Sequence, residues 1–262
     1  MARVLKEKIA SVEKIASDIF KMTLKSEYIA LNAAPGQFVN VKCCEGVNAL
    51  LRRPISICGL DKAERIFDIC FQVKGAGTGY LSQKKTGDEI DIIGPLGNPF
   101  SMSAEYARIA VVGGGIGAFP LLYVLNESKA VLKSAFLGYR NKDCMALKDG
   151  FEHAADRLLV STDDGSYGRM GLVTELLGEE LAQNKYDIIY ACGPTPMLKG
   201  VVAIAEKHGI RCQVSLEQRM GCGIGACLVC ACKTRADTPE GWNYSHVCKD
   251  GPVFWSSEII FE

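Results

Sequence analysis

Arg108-Ile109-Ala110-Val111-Val112-Gly113-Gly114-Gly115-Ile116-Gly117-Ala118-Phe119-Pro120 is the stretch that decides the fold. A β-branched apolar run of strand length ends in a cluster of glycines, and a proline then opens an apolar helical stretch. Strand, glycine turn and helix in that order let a pyrophosphate approach backbone N–H groups at the positive end of a helix. The same turn also occurs where strand and helix simply pack closely. Gly113, Gly114, Gly115 and Gly117 are the candidate contacts. Ser134-Ala135-Phe136-Leu137 and Asp187-Ile188-Ile189-Tyr190-Ala191 repeat the strand pattern, and residues 120–126 and 196–207 read as helices. Strands alternating with helices predict a doubly wound parallel sheet over residues 103–210.

In open sheets of this kind ligands bind beyond the C-terminal ends of the strands. Two more turns therefore come into play. Cys192-Gly193-Pro194 follows the last of the three strands, and Cys192 is either a contact for a nicotinamide ring or an ordinary buried thiol. The segment 162–168, with Asp163 and Asp164, is either a cofactor-contacting loop or a polar turn.

Upstream, over residues 1–102, short alternating runs succeed one another: Phe20 to Leu24, Phe38 to Val41, Ile66 to Val73 and Glu89 to Ile93. Turn residues at 35–36, 75–79 and 94–97 separate them, which predicts a small antiparallel barrel. Within it, Arg53-Pro54-Ile55-Ser56 sets an Arg and a hydroxyl three residues apart on a β-segment, and both can hydrogen-bond a phosphate. Gly75-Ala76-Gly77-Thr78-Gly79, ahead of a short helix expected at 80–84, is a second phosphate candidate. Placed before a nucleotide fold, the two suggest a flavin pyrophosphate site.

Downstream, residues 211–262 hold one expected strand, Gln213 to Leu216, and then a Cys/Gly segment too small to fold on an apolar core of its own. Its thiols run Cys222-x4-Cys227-x2-Cys230, with Cys248 further on. That is the plant-type [2Fe–2S] spacing, and the interleaved glycines let backbone N–H groups turn inward to sulfur. A zinc knot is the alternative, although zinc ribbons show two C-x2-C pairs. Cys232 is read as a bystander.

Composition narrows the field. The 262 residues include 30 Lys+Arg and 30 Asp+Glu, so no basic surplus exists to neutralise a nucleic acid. The N-terminus is charged and carries no apolar leader, and no apolar run is long enough to cross a bilayer. The expectation is a cytoplasmic chain with neither membrane nor nucleic acid as partner, whose twelve cysteines are thiols or ligands rather than disulfides. His153, His208 and His246 stand alone in polar surroundings, and no acid–base constellation emerges. Glu217 and Arg219, just before the cysteine loop, either form an ion pair or face the flavin.

The order Arg-Pro-x-Ser, Gly-Thr-Gly, the glycine turn and Cys-Gly-Pro resembles the ferredoxin-NADP reductase superfamily. Glu217-Gln218-Arg219-Met220-Gly221-Cys222 onward, with Val247-Cys248-Lys249-Asp250-Gly251-Pro252-Val253-Phe254, is similar to the electron-transfer subunits of NAD-dependent (class 1B) dihydroorotate dehydrogenases, and the likeness runs over essentially the whole chain. The resemblance implies an N-terminal FAD barrel, an NAD-binding α/β domain and a small C-terminal [2Fe–2S] module. It implies that Arg53, Pro54, Ile55, Ser56, Cys70, Phe71, Gln72, Gly77 and Thr78 bind FAD, with Ile55 where the superfamily often has an aromatic. Cys222, Cys227, Cys230 and Cys248 would ligate the cluster. The glycine turn, Asp163, Asp164, Cys192, Gly193 and Pro194 would serve NAD(H). The partner would be an FMN-containing catalytic subunit, two copies of each chain forming a heterotetramer in pyrimidine biosynthesis. Competing expectations are an electron-transfer subunit of a hydrogenase or ferredoxin:NAD(P) oxidoreductase complex and, from another class, a zinc-bound redox-sensing module.

Overall fold

The computed structural model describes residues 1–46 and 48–261. The first hundred residues close a barrel of six antiparallel strands: β1 (Arg3–Ala16), β2 (Ile19–Lys25), β3 (Phe38–Val41), β4 (Arg53–Asp61), β5 (Ile66–Gln72) and β6 (Glu89–Leu96). Their order round the barrel is β1-β2-β5-β4-β3-β6. Alternation explains the closure. Met22 and Leu24, Val39 and Val41, Phe67, Ile69 and Phe71, and Ile90 and Ile92 all point inward and are buried together. β1 escaped the sequence reading because only Ile9 of its fourteen residues is buried, so charge dominates its pattern.

Two short helices interrupt the barrel, α1 (Glu27–Asn32) and α2 (Ala76–Ser82). α2 begins earlier than the expected helix at 80–84, because Thr78 caps it. The Thr78 hydroxyl accepts from Lys74 N at 3.0 Å and Gly75 N at 3.4 Å and donates to Gly75 O at 3.2 Å. The glycine stretch is thus the first turn of the helix rather than its approach.

Parallel strands β7 (Arg108–Gly114), β8 (Leu132–Tyr139), β9 (Arg157–Thr162), β10 (Arg169–Met170), β11 (Ile188–Cys192) and β12 (Arg211–Ser215) follow. They lie in the order β10-β9-β8-β7-β11-β12. Helices α3 (Phe119–Glu127) and α4 (Lys148–Ala154) cover the face of Ile109, Val111, Ala135 and Leu137. α5 (Val173–Gln183) and α6 (Thr195–Lys207) cover the face of Ala110, Val112, Phe136 and Ile189. The sheet is doubly wound, as the apolar runs without polar alternation required.

The C-terminal segment adds β13 (Ala231–Arg235), β14 (Trp242–His246), β15 (Val253–Trp255) and β16 (Ile259–Ile260). β14-β13-β16 form a small antiparallel sheet, while β15 pairs antiparallel with β12 and becomes the seventh strand of the large sheet. This corrects the division at residue 211: β12 belongs to the α/β sheet. Cys230, Val247, Cys248, Phe254 and Ile259 join the core under α5 and α6 together with Phe38 and Leu96 of the barrel. The segment is stabilised by a core it shares, which is how so short a tail holds its shape. Among the described residues no helix is long and apolar enough to cross a membrane.

Candidate functional site

A cleft of about 710 Å³ opens between the barrel and the first turn of the α/β domain. The nine residues expected at a flavin, Arg53, Pro54, Ile55, Ser56, Cys70, Phe71, Gln72, Gly77 and Thr78, all line it. Strand pleat separates the two adjacent arginines. Arg52 turns away and binds the Asp91 carboxylate at 2.8 Å and the Asp91 carbonyl at 3.1 Å. Arg53 turns into the cleft and lies across Gly77, where a Cβ would meet its Nε and Nη2 at 3.0 Å. A bare backbone under a guanidinium at a helix N-terminus is a cradle that fits a pyrophosphate.

The expected nicotinamide residues divide. Gly117 and Cys192 line the same cleft. Gly113, Gly114, Gly115, Gly193 and Pro194 sit at the ends of β7 and β11, and close packing explains most of their glycines. A Cβ on Gly117 would stand 2.6 Å from Cys192 O, one on Gly113 2.7 Å from Ala118 Cα, and one on Gly114 2.6 Å from Met197 Sδ. Gly193, at φ +157°, would meet Met197 Cε at 2.7 Å. Only Gly115, at φ +55°, faces open space. Asp163 and Asp164 follow β9 on an exposed turn, away from the lining of the cleft. The Asp164 carboxylate accepts from Ser166 Oγ at 2.6 Å and Ser166 N at 2.9 Å, and these bonds hold it below the usual carboxylate range.

Cys192 combines both of its readings, since its thiol is buried yet its residue borders the cleft. Burial, reinforced by the nearby Glu217 charge and only partly offset by a Ser215 hydrogen bond, pushes the thiol up to about 12. It is therefore neutral at physiological pH. Glu217 and Arg219 prove to be cleft residues. Lys74, Ile116, Phe119 and Pro120 complete the wall, and the last three belong to the glycine-turn segment already singled out.

Arg219 leads in three residues to Cys222, a length of chain that spans no more than about 11 Å. There the loop folds as a set of sulfur-directed N–H groups. Cys222 Sγ accepts from Ala226 N at 3.2 Å and from Ile224 and Cys227 N at 3.4 Å. Cys227 Sγ accepts from Cys222 N at 3.3 Å, Cys248 Sγ from Gly225 N at 3.1 Å, and Cys230 Sγ from Cys248 N at 3.4 Å. Left-handed backbone at Gly223 (φ 72°), Gly225 (φ 82°) and Leu228 (φ 61°) produces this winding. Burial opposes ionisation of Cys222, but the inward N–H groups outweigh it and hold the thiol at about 6. Burial and the Cys230 sulfur push Cys248 up to about 12.

Among the described residues no group of three metal-type side chains is placed to hold a single ion. Cys222 and Cys227 contact each other, as do Cys230 and Cys248, a grouping that suits four thiolates shared between two irons. The barrel grips this loop through a residue that escaped sequence reasoning. Buried Asn40 on β3 donates from Nδ2 to Cys222 O at 2.9 Å, and its Oδ1 has no hydrogen-bond partner. A Cβ on Gly223 would meet that amide at 2.4 Å. Its sequence signal is faint: one polar residue in an otherwise apolar four-residue strand. Cys232 lies near Cys230 and takes part in none of the six N–H to sulfur contacts. Around the loop Ile224, Leu228 and Val229 are exposed.

Comparison with known proteins assigns a flavin domain and a cluster domain to the chain. Residues 6–100 match the family model described as an oxidoreductase FAD-binding domain, and residues 217–260 match the iron–sulfur cluster binding domain of dihydroorotate dehydrogenase B. The chain is 43% identical over 257 residues, 98% of each chain, to the dihydroorotate dehydrogenase B (NAD(+)) electron transfer subunit of Caldanaerobacter subterraneus subsp. tengcongensis. It is 38% identical over 96% of each chain to the protein of that name from Bacillus mycoides. Among solved structures it superposes with a TM-score of 0.85 and 33% identity on an NADH-dependent reduced ferredoxin-NADP oxidoreductase, covering 97% of this chain and 89% of that one. A cytochrome P450 reductase from Amycolatopsis, at 20% identity and a TM-score of 0.66, shares the fold.

Proposed function

The chain belongs to the family of electron transfer subunits of dihydroorotate dehydrogenase B, and on that premise we propose that it carries electrons between the FMN of a separate catalytic subunit and NAD+ in pyrimidine (UMP) biosynthesis. Cys222, Cys227, Cys230 and Cys248 hold a [2Fe–2S] cluster, and the cleft holds FAD. The cluster supplies one-electron transfer, and FAD, which handles one or two electrons, supplies hydride exchange with NAD(H). A single observation carries this reading: the wall of the flavin cleft runs on through Glu217 and Arg219 into the four-thiol loop, so one short stretch of chain joins the two redox sites.

Arg53 and the first turn of α2 bind the FAD pyrophosphate, with Thr78 spending its hydroxyl on keeping that turn in shape. Ser56, Cys70, Phe71 and Gln72 border the ring system. At the opposite wall, Cys192 presents a neutral, polarisable surface to the nicotinamide and Glu217 supplies the charge beside it. Gly115 and the turn after β9 receive the rest of NAD(H). The oxidation of dihydroorotate itself is performed by the partner. The partner docks over Ile224, Leu228 and Val229, the exposed apolar rim of the cluster loop. The complex contains two copies of each chain and works in the cytoplasm.

Co-expression with the catalytic subunit tests the reading. The purified complex reduces NAD+ when given dihydroorotate, and Ile224→Asp with Val229→Asp lowers co-purification of the partner while iron content stays at the wild-type level. A complex that reduces NAD+ from a ferredoxin and ignores dihydroorotate would refute the assignment in favour of the reading suggested by the ferredoxin-linked structural neighbour.

A further inference from the structure

Cys58 has no role in the function above and Cys70 only borders the flavin, yet their two thiols are in contact outside the cluster loop. β4 and β5 pair Ile57 with Ile69 and Gly59 with Asp68, so Cys58 is the extra residue of a β-bulge. The bulge turns its side chain out of the barrel. Cys70 points the same way, and the two sulfurs lie 3.4 Å apart. The pair sits in a small apolar cluster with Ile19, Phe119 and Ala146, where the barrel meets the α/β domain. Both thiols are buried, but only Cys70 borders the flavin cleft. Cys58 also donates to Asp68 O at 3.3 Å, and Lys21, whose ammonium lies 2.9 Å from the Asp68 carboxylate, is the cross-strand partner of Cys70.

We propose that Cys58 and Cys70 are a reversible modification site, a dithiol that a small-molecule disulfide converts to a cross-strand cystine when FAD is absent from the cleft. Cys70, open to the cleft beside a lysine, attacks one sulfur of RS–SR, forming a mixed disulfide and releasing the first RSH. Cys58 then attacks Cys70 Sγ, closing the Cys58–Cys70 bond and releasing the second RSH. The pair loses two electrons to the reagent, and both thiol protons leave on the released RSH molecules. Closure needs the sulfurs to move from 3.4 Å to about 2.05 Å, a change within reach of side-chain rotation. Bound FAD covers Cys70 and blocks the first step. This last element rests on the flavin seat argued above.

The test treats the full-length protein with glutathione disulfide, once with FAD bound and once after FAD has been stripped, and maps the products by peptide mass. The stripped protein yields a cross-linked peptide pair containing Cys58 and Cys70, which dithiothreitol reverses. The holoprotein forms it on the order of tenfold more slowly, as access governs exchange. Cys58→Ser stops at a glutathione adduct on Cys70, and Cys70→Ser leaves Cys58 unmodified. Stripped wild-type protein in which both thiols remain free to alkylate overturns the dithiol itself. Equal rates with and without FAD overturn the shielding and locate the fault in the flavin seat, which FAD retention by Arg53→Ala reads independently.

Discussion

Gly77 and Gly79 lie on the same short helix and make opposite predictions when each is changed to alanine. Neither has a positive φ, so alanine suits both backbones, and in a helix it stabilises by about 0.5–1 kcal/mol relative to glycine. At Gly79 nothing lies within 4 Å of the added Cβ. Gly79→Ala should therefore raise the melting temperature by about 2 °C and leave FAD affinity alone. At Gly77 the Cβ arrives 3.0 Å from Arg53 Nε and Nη2. The guanidinium can swing aside, so the fold keeps its helix gain, but the charge-assisted bond it offers to phosphate is displaced. Such a bond is worth about 1.5–3 kcal/mol, so Gly77→Ala should weaken FAD binding about tenfold or more while stability holds or rises. Flavin-fluorescence titration of stripped protein, with thermal melts of the same samples, measures both quantities. A Gly77→Ala protein that binds FAD as tightly as Gly79→Ala would refute the cradle of Arg53 and Gly77 as the pyrophosphate seat.

Two further outcomes follow from the thiols. Cys232→Ser should keep its iron and its cluster absorption, whereas Cys230→Ser should lose both, because Cys230 Sγ is paired with Cys248 and Cys232 stands outside the set; iron analysis on anaerobically purified variants decides it. Cys192 and Cys212 are both pushed by burial from an ordinary 9.0 up to about 12. Folding thus keeps protons that the unfolded chain gives up, so their contribution is complete below about pH 9 and is lost as pH rises toward 12. Denaturant titrations across that window should show stability falling, and Cys212→Ala should flatten the slope by about 1.4 kcal/mol per pH unit.

Much of this architecture is written in short-range pattern. Ile109 and Val111 against Ala110 and Val112 record a sheet covered on both faces, and one run of residues is enough to read it. The cysteine spacing and the Arg-Pro-Ile-Ser segment are equally local, because a thiol set or a phosphate cradle is built from neighbours along the chain. The glycine turn was harder to read. Both a ligand and close packing call for glycine, and only the distances to Cys192, Ala118 and Met197 assign most of these glycines to packing.

What the chain could determine alone is therefore the kind of each site, because ligand chemistry depends on residue type and spacing. What it could not determine is how the sites meet. The Asn40 hydrogen bond to Cys222 joins residues 182 apart, β15 returns to the edge of the large sheet, and Glu217, open in the sequence to an ion pair or a flavin-facing place, becomes a cleft wall. Cys58 reaches Cys70 only through a bulge that pairing with β5 imposes. Contacts of that range cost loop-closure entropy and leave no periodic trace in the sequence, so only the packed fold decides them.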